Sequence, residues 1–389
     1  MANYRTIGKG LLIGAAALSL WAISRRSTGR PPKLINWERV RSMALGMSRS
    51  DELGPTASRT EMGWQYRQWV RRSEESISRY LGKTLPRALE AVYVFDRTDW
   101  IDANLSSFQD MFEPFEKLND RMLGDCSVGM RLVGSFNQLL LTSQLGALMG
   151  YLSARVLGQY DAVLLGKEPI EGGKLYFVEP NISMLQERMG FKPDEFRLWI
   201  ALHEATHAFE FEAHPWLRGY MNSLLTRYLE AVGDDLSRMQ GENGGLGQLV
   251  QRIAGNVVKG GHFMEWMMTA RQRALFQELQ ALMCLVEGYS NHVMQAVGQD
   301  MCSSYHWMKE RFEERNKNKT AAEQWFARLT GLDAKMEQYV LGERFVNEVV
   351  RQKGIDFMNK AWESPAMLPN MDEIRQPDRW IQRVSRLAS

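Results

Sequence analysis

The segment from Phe191 to Arg218, FKPDEFRLWIALHEATHAFEFEAHPWLR, constrains this chain more than any other. Pro193 and Asp194 open a helix, because proline has no N–H to lose in a first turn and a carboxylate complements the positive helix end. Phe196, Trp199, Ile200, His203, His207 and Phe211 then recur at steps of three and four, and Pro215 stops the helix. The inward face therefore carries two histidines. At i and i+4 their imidazoles project the same way, with Cβ atoms about 6 Å apart, and can share one tetrahedral metal ion. Glu204 borders the same face without being forced to coordinate, so it can take a proton from a water that the metal acidifies. This is the logic of the HExxH motif of metallopeptidases.

Scarcity makes the motif informative. With 6 histidines in 389 residues, a chance HExxH is expected on the order of once in a hundred such chains. The bland alternative is a pair of hydrogen-bonded core histidines with Glu204 as a solvent-side charge. Without a metal, however, two imidazoles and a carboxylate on one apolar stripe would need three separate buried partners.

A catalytic zinc site takes a third protein ligand and leaves the fourth position to water. The long metzincin pattern would need glycine at 210 and histidine at 213, where the chain has Glu210 and Ala213; His214 is one residue out of register and reads as a helix-end or surface histidine. The better candidate lies in the apolar stretch ALFQELQALMCLVEGYSNHVM, 274–294, where Leu279, Met283 and Glu287 share a stripe at four-residue steps. An acid there replaces an expected aliphatic side chain. A buried carboxylate is costly alone and satisfied on zinc, so Glu287 is the expected third ligand. The structural alternative is an ion pair with an arginine such as Arg218 or Arg344, and Glu278 and His292 are competing ligands. Tyr289, His292, Tyr305 and His306 could donate to a developing oxyanion, although each is more often an ordinary core or surface residue.

The remaining composition narrows the setting. There are 48 Lys+Arg against 46 Asp+Glu, for a net +2, with 44% apolar residues. That is a globular chain without the basic field or stripe that nucleic acid requires. Cys126, Cys284 and Cys302 lack CxxC spacing, so neither a disulfide framework nor a thiolate zinc site is expected, and the compartment reads as reducing. An uncharged run, Gly10 to Ser24, is flanked by Arg5 and Lys9 before and by Arg25, Arg26 and Arg30 after. At 15 residues it is short for a bilayer span of about 20. It reads as an uncleaved anchor or interfacial helix touching the membrane, with a cleaved signal and a protein-packed helix as alternatives. The denser positive charge after the run leaves the main domain on the cytoplasmic side. Ser27 to Lys33 (STGRPPK) is a linker, which divides the chain into a 1–33 appendage and a body from 34 to 389.

The body is mostly helical. Ser58 and Glu61 have capping-box spacing ahead of a long helix. Strands are expected at 91–95, 161–165 and 174–178, the last two joined through GKEPIEGG as a hairpin. Strand 174–178 precedes the motif helix, the order expected if its edge holds an extended peptide. The stretch 137–156 is an apolar helix with Gly146, Gly150 and Ala154 spaced for close packing against another helix. GENGGLG at 241–247 reads as a flexible loop, 309–319 as a solvated helix face and its end, and Pro365, Pro369 and Pro377 as marks of an extended, wrapping C-terminal segment.

HEATHAFEFEAHPWLR resembles the signature of the bacterial zincin-like metallopeptidases of type 2, a family also labelled as associated with deazaflavin-coenzyme biosynthesis. INWERV at 35–40, Asp96 to Leu118, VLGQYD at 156–161, EPN at 179–181, FRLW at 196–199, LVEGYSNHVM at 285–294 and LDAKMEQYVLGERFV at 332–346 are similar to it too. So is the segment holding Trp362, Ser364, Pro365, Leu368, Pro369, Glu373 and Ile374. The resemblance runs from residue 35 nearly to the end, which makes 34–389 one family unit. It implies a predominantly α-helical α+β fold of zincin type, with a small β-sheet packed near the HExxH helix. It also implies His203 and His207 as zinc ligands, Glu204 as the catalytic carboxylate and Glu287, in the downstream EG motif, as third ligand. Where the family often has histidine two residues after that glutamate, this chain has Tyr289. The expected function is a zinc-dependent metallohydrolase acting on a peptide or protein substrate. The alternative is a zinc-binding interaction protein without catalysis.

Overall fold

The apolar periodicity of the sequence is realised as long helices and one small sheet, in a computed structural model that describes residues 33–48, 56–123, 128–161, 173–241, 268–317 and 332–387. The architecture is α+β and predominantly helical, as expected. The described residues divide into two compact units, one within 33–48 and 104–152 and the other within 56–103 and 153–387.

In the smaller unit, α1 (Trp37–Met47) is capped by the Asn36 side chain, which accepts from the Arg39 N–H. It lies directly on α4 (Val128–Ser153). A Cβ at Gly146 or Gly150 would come within 2.8 Å of the Cβ of Met43 or Met47, so the two backbones touch where only glycine fits. This is the close packing that the four-residue spacing predicts, although Ala154 falls beyond the helix end. The Trp37 indole donates to Glu116 Oε1 on α3 (Arg97–Leu123).

The larger unit holds the sheet, in the order β1 (Val92–Phe95), β3 (Lys174–Val178), β2 (Gly158–Asp161). β1 runs parallel to β3, and β2 antiparallel to it with Asp161 opposite Lys174. Two expectations change here. The second strand lies at 158–161 instead of 161–165, and 162–165 are outside the described residues together with most of the connection. β3 is the central strand, bonded on both sides, so its edge is not open to a peptide.

One continuous run from β3 positions the motif helix. β3 passes straight into α5 (Glu179–Met189), which ends on left-handed Gly190 (φ 72°). Lys192 then caps α6 (Pro193–Glu212), and Phe191 packs on Phe196 at 5.0 Å, a hydrophobic staple across the cap that sets the entry angle. Glu179 at the start of α5 accepts from the Tyr66 hydroxyl of α2 (Thr56–Leu81) and pairs with Arg197 of α6, locking three elements together. Since α2 is already helical at Thr56, Ser58 sits inside its first described turn and not at the cap.

α6 leads through His214 into α7 (Trp216–Gly241), so the stretch 241–247 lies outside the described residues except for the last residue of α7. α8 (Ala270–Met301) starts at a Thr269–Gln272 capping box and packs against α2, α6, α7 and α10 (Leu332–Lys353). α8 and α10 meet at Gly288 and Gly342, where a Cβ on Gly288 would stand 2.1 Å from the Gly342 carbonyl carbon. α9 (Tyr305–Lys317) is the charged, largely solvated helix expected near 309–319.

The C-terminal segment differs from its extended expectation. Pro365 and Pro377 each occupy a first-turn position, of a short 3-10 helix (Pro365–Met367) and of α13 (Pro377–Leu387), with α11 (Ile355–Met358) and α12 (Met371–Arg375) completing the region. Proline is tolerated there because that N–H has no intrahelical partner. Arg383 clamps the segment by bonding both oxygens of Glu373 and the carbonyls of Ala366 and Leu368.

Candidate metal centre

α6 and α8 cross in the interior of the larger unit and bring three of the expected residues together. His203 and His207 from α6 and Glu287 from α8 each offer one ligand atom, all within 4.8 Å of one another. The Nε2 atoms of the histidines are 3.3 Å apart, and Glu287 Oε2 lies 3.7 Å from His207 Nε2. Two nitrogens bound to tetrahedral zinc at 2.0–2.1 Å stand about 3.3–3.4 Å apart. The residues present therefore fit zinc in both donor type and spacing.

The far side of each ring is held differently. His203 Nδ1 is 3.2 Å from Ser290 Oγ and 3.1 Å from Met294 Sδ, both on the α8 face that carries Glu287 three and seven residues earlier. His207 Nδ1 is 2.9 Å from Glu210 Oε2, and Glu210 is fully buried. With both Nδ1 atoms occupied, both Nε2 atoms face the shared position.

Glu204 turns toward the sheet. Its Oε2 accepts the Tyr160 backbone N–H of β2 at 2.8 Å, while a Cβ on Gly158 would come within 2.7 Å of its Oε1. Only a glycine lets the strand lie so close over this carboxylate. Burial is the main influence on its proton: it raises Glu204 to about 7 against the opposing pull of His207 and the Tyr160 amide. Burial also lowers His203 to about 4, helped by the neighbouring His207 and opposed by Glu287. For the His207–Glu210 pair, burial lowers the imidazole, but the Glu210 hydrogen bond and the surrounding carboxylates outweigh it and the net direction is upward.

The other expected residues stand elsewhere. Arg218 pairs with Glu212 and touches the Tyr160 hydroxyl, and Arg344 and Glu278 are exposed. His214 is a helix-end residue whose Nδ1 meets the Glu210 carbonyl oxygen and whose ring stacks on Trp362. His292 lies between Tyr80 and Asn347, Tyr289 donates to Asn359, Tyr305 packs against Gly298, and His306 is exposed beside the Tyr305 ring. Cys284 and Cys302 are free and buried, with thiols pushed up to about 11 by burial, and Cys126 lies outside the described residues.

The description of the zincin-like metallopeptidases matches residues 35–381. The chain belongs to this family. A crystal structure of "a putative hydrolase with a novel fold" from Chloroflexus aurantiacus is 40% identical, covering 90% of this chain and 99% of that one with a TM-score of 0.66. No curated protein matches the chain. Membership of the zincin-like metallopeptidases implies zinc as the cofactor and metal-dependent hydrolysis as the class of chemistry. Membrane association finds no support: among the described residues no helix is long and apolar enough to cross a membrane, and the run 10–24 lies outside them.

Sequence reasoning missed Glu210, Ser290 and the Gly158–Tyr160 strand. Glu210 had a signal, being three residues after His207 on the same face; Ser290 had the same spacing from Glu287. The strand had none, because its contact with Glu204 crosses more than forty residues of sequence.

Proposed function

We propose that this protein is a zinc-dependent peptidase, with His203, His207 and Glu287 as the metal ligands and Glu204 as the general base. The observation that carries the reading is the 3.3 Å approach of two imidazole Nε2 atoms beside a buried glutamate, with a second glutamate on the same helix held by a strand amide. Zinc in that position supplies an acidified water and a polarised scissile carbonyl.

The rest of the chemistry belongs to the chain. The Tyr160 N–H fixes one oxygen of Glu204, which leaves the other to accept a proton and hand it to the leaving amine. Burial raises this carboxyl to about 7 in the metal-free protein, and a bound cation would draw it down toward the ionised form that a base requires. Ser290 keeps the His203 ring turned with Nε2 forward. Burial of Glu204, Glu210 and Glu287 excludes bulk water and strengthens each of these interactions.

Metal content and turnover on a peptide library, for the wild type, Glu204→Gln and Glu287→Ala, test the reading. Glu204→Gln should keep its zinc and lose about 10²–10⁴ in turnover, while Glu287→Ala should lose metal affinity. Full activity in Glu204→Gln would sink the mechanism. Stoichiometric zinc without cleavage of any peptide would favour a non-catalytic binding protein.

A further inference from the structure

We infer that Glu210, outside the HExxH motif, is the positioning residue of the metal centre: its carboxylate orients His207 toward the shared metal position. This rests on the zinc-site reading above. Two observations carry it.

The first is geometric. His207 Nδ1 meets Glu210 Oε2 at 2.9 Å while His207 Nε2 faces His203 and Glu287, so one carboxylate settles both the tautomer and the direction of the ring. His203 has only a neutral hydroxyl and a thioether at its Nδ1, so the two histidines are held unequally.

The second is that half of this carboxylate has no partner of its own. Glu210 Oε1 is buried with no hydrogen-bond partner among the described residues, and glutamine or an aliphatic side chain would be easier to bury. The carboxylate makes sense as a partner of His207 once a cation binds.

Zinc affinity by chelator competition, on the full chain, tests this for the wild type, Glu210→Gln, Glu210→Ala and Ser290→Ala, with thermal unfolding of each metal-free protein alongside. Glu210→Gln should weaken zinc about 10- to 100-fold, with the metal-free protein still folded. Glu210→Ala should weaken it further, and Ser290→Ala less. In the Co2+-substituted protein the visible bands should shift in Glu210→Gln. Should Glu210→Gln not fold, Glu210→Ala carries the same comparison. Wild-type-like zinc affinity in either glutamate variant would overturn the role of Glu210 and leave the zinc-site reading standing. A wild type that binds no zinc would overturn both.

Discussion

Replacing Gly288 by alanine separates two opposing effects by magnitude. In an isolated helix the change is favourable by about 1 kcal/mol, because alanine restricts the unfolded chain and suits the helix. At the crossing of α8 and α10, however, the new Cβ would lie 2.1 Å from the Gly342 carbonyl carbon, 2.3 Å from its oxygen and 2.7 Å from the Glu343 nitrogen. Carbon atoms rest at about 3.5 Å or more, so the helices must part by more than about 1 Å. The obstacle is backbone and cannot rotate away. Overpacking of this kind costs about 1–3 kcal/mol, and the opened seam forfeits a quarter to a half of its dispersion contacts besides. The expected net loss is about 2 kcal/mol, read as a lower urea midpoint. Because Gly288 follows Glu287, zinc affinity should fall too. The control is Gly219→Ala in α7, where a Cβ meets nothing within 4 Å, which should be neutral or more stable by up to about 1 kcal/mol. If Gly288→Ala proves as stable as Gly219→Ala, the close crossing that places Glu287 is refuted.

Gly158→Ala should barely change stability, since the Glu204 side chain can swing aside, yet turnover should drop at least about tenfold with zinc content unchanged, because Glu204 leaves the Tyr160 amide; unaltered turnover would argue against that anchoring. Trp362→Ala removes a fully buried ring that meets Tyr289 edge-on at 5.2 Å and stacks on His214 at 5.7 Å, and should cost about 3–5 kcal/mol in urea unfolding, with a loss under about 1 kcal/mol contradicting the packing. The pH dependence follows from His207, whose proton is held more tightly in the folded metal-free protein than in the unfolded chain. A raised group stabilises below its unfolded value and loses that contribution as pH rises through the folded one. The thermal midpoint of metal-free protein should therefore fall between pH 6.5 and pH 9, as His207 rises to about 9. In the zinc form the imidazole carries no such proton, so its midpoint should stay level over the same range; parallel profiles for the two forms would contradict the assignment.

The motif helix was legible because its information is local: a proline at each end, a period of three and four, and two histidines on that period. Glu287 was legible for a related reason, as an acid on an aliphatic stripe, and α8 brings it to the histidines. Non-local features were not. GQYD at 158–161 has no apolar alternation, and it is a strand because β3 pairs with it and Glu204 accepts its Tyr160 N–H. β3 is central because β1, some eighty residues earlier, takes its other side in parallel, which no local pattern announces. The prolines of the C-terminal segment were misread because their local preference is shared by extended chain and helix first turns. Burial of Trp362 and Trp380 and the Arg383 clamp select the second.

The central claim is that His203, His207 and Glu287 hold one zinc ion. Anomalous diffraction at the zinc edge, from crystals of the zinc-loaded protein, tests it most directly. One peak is expected about 2.0–2.2 Å from His203 Nε2, His207 Nε2 and a Glu287 oxygen, with Glu204 outside the coordination shell and Glu210 on His207 Nδ1. A peak elsewhere, or none at these three side chains at full zinc occupancy, would contradict it.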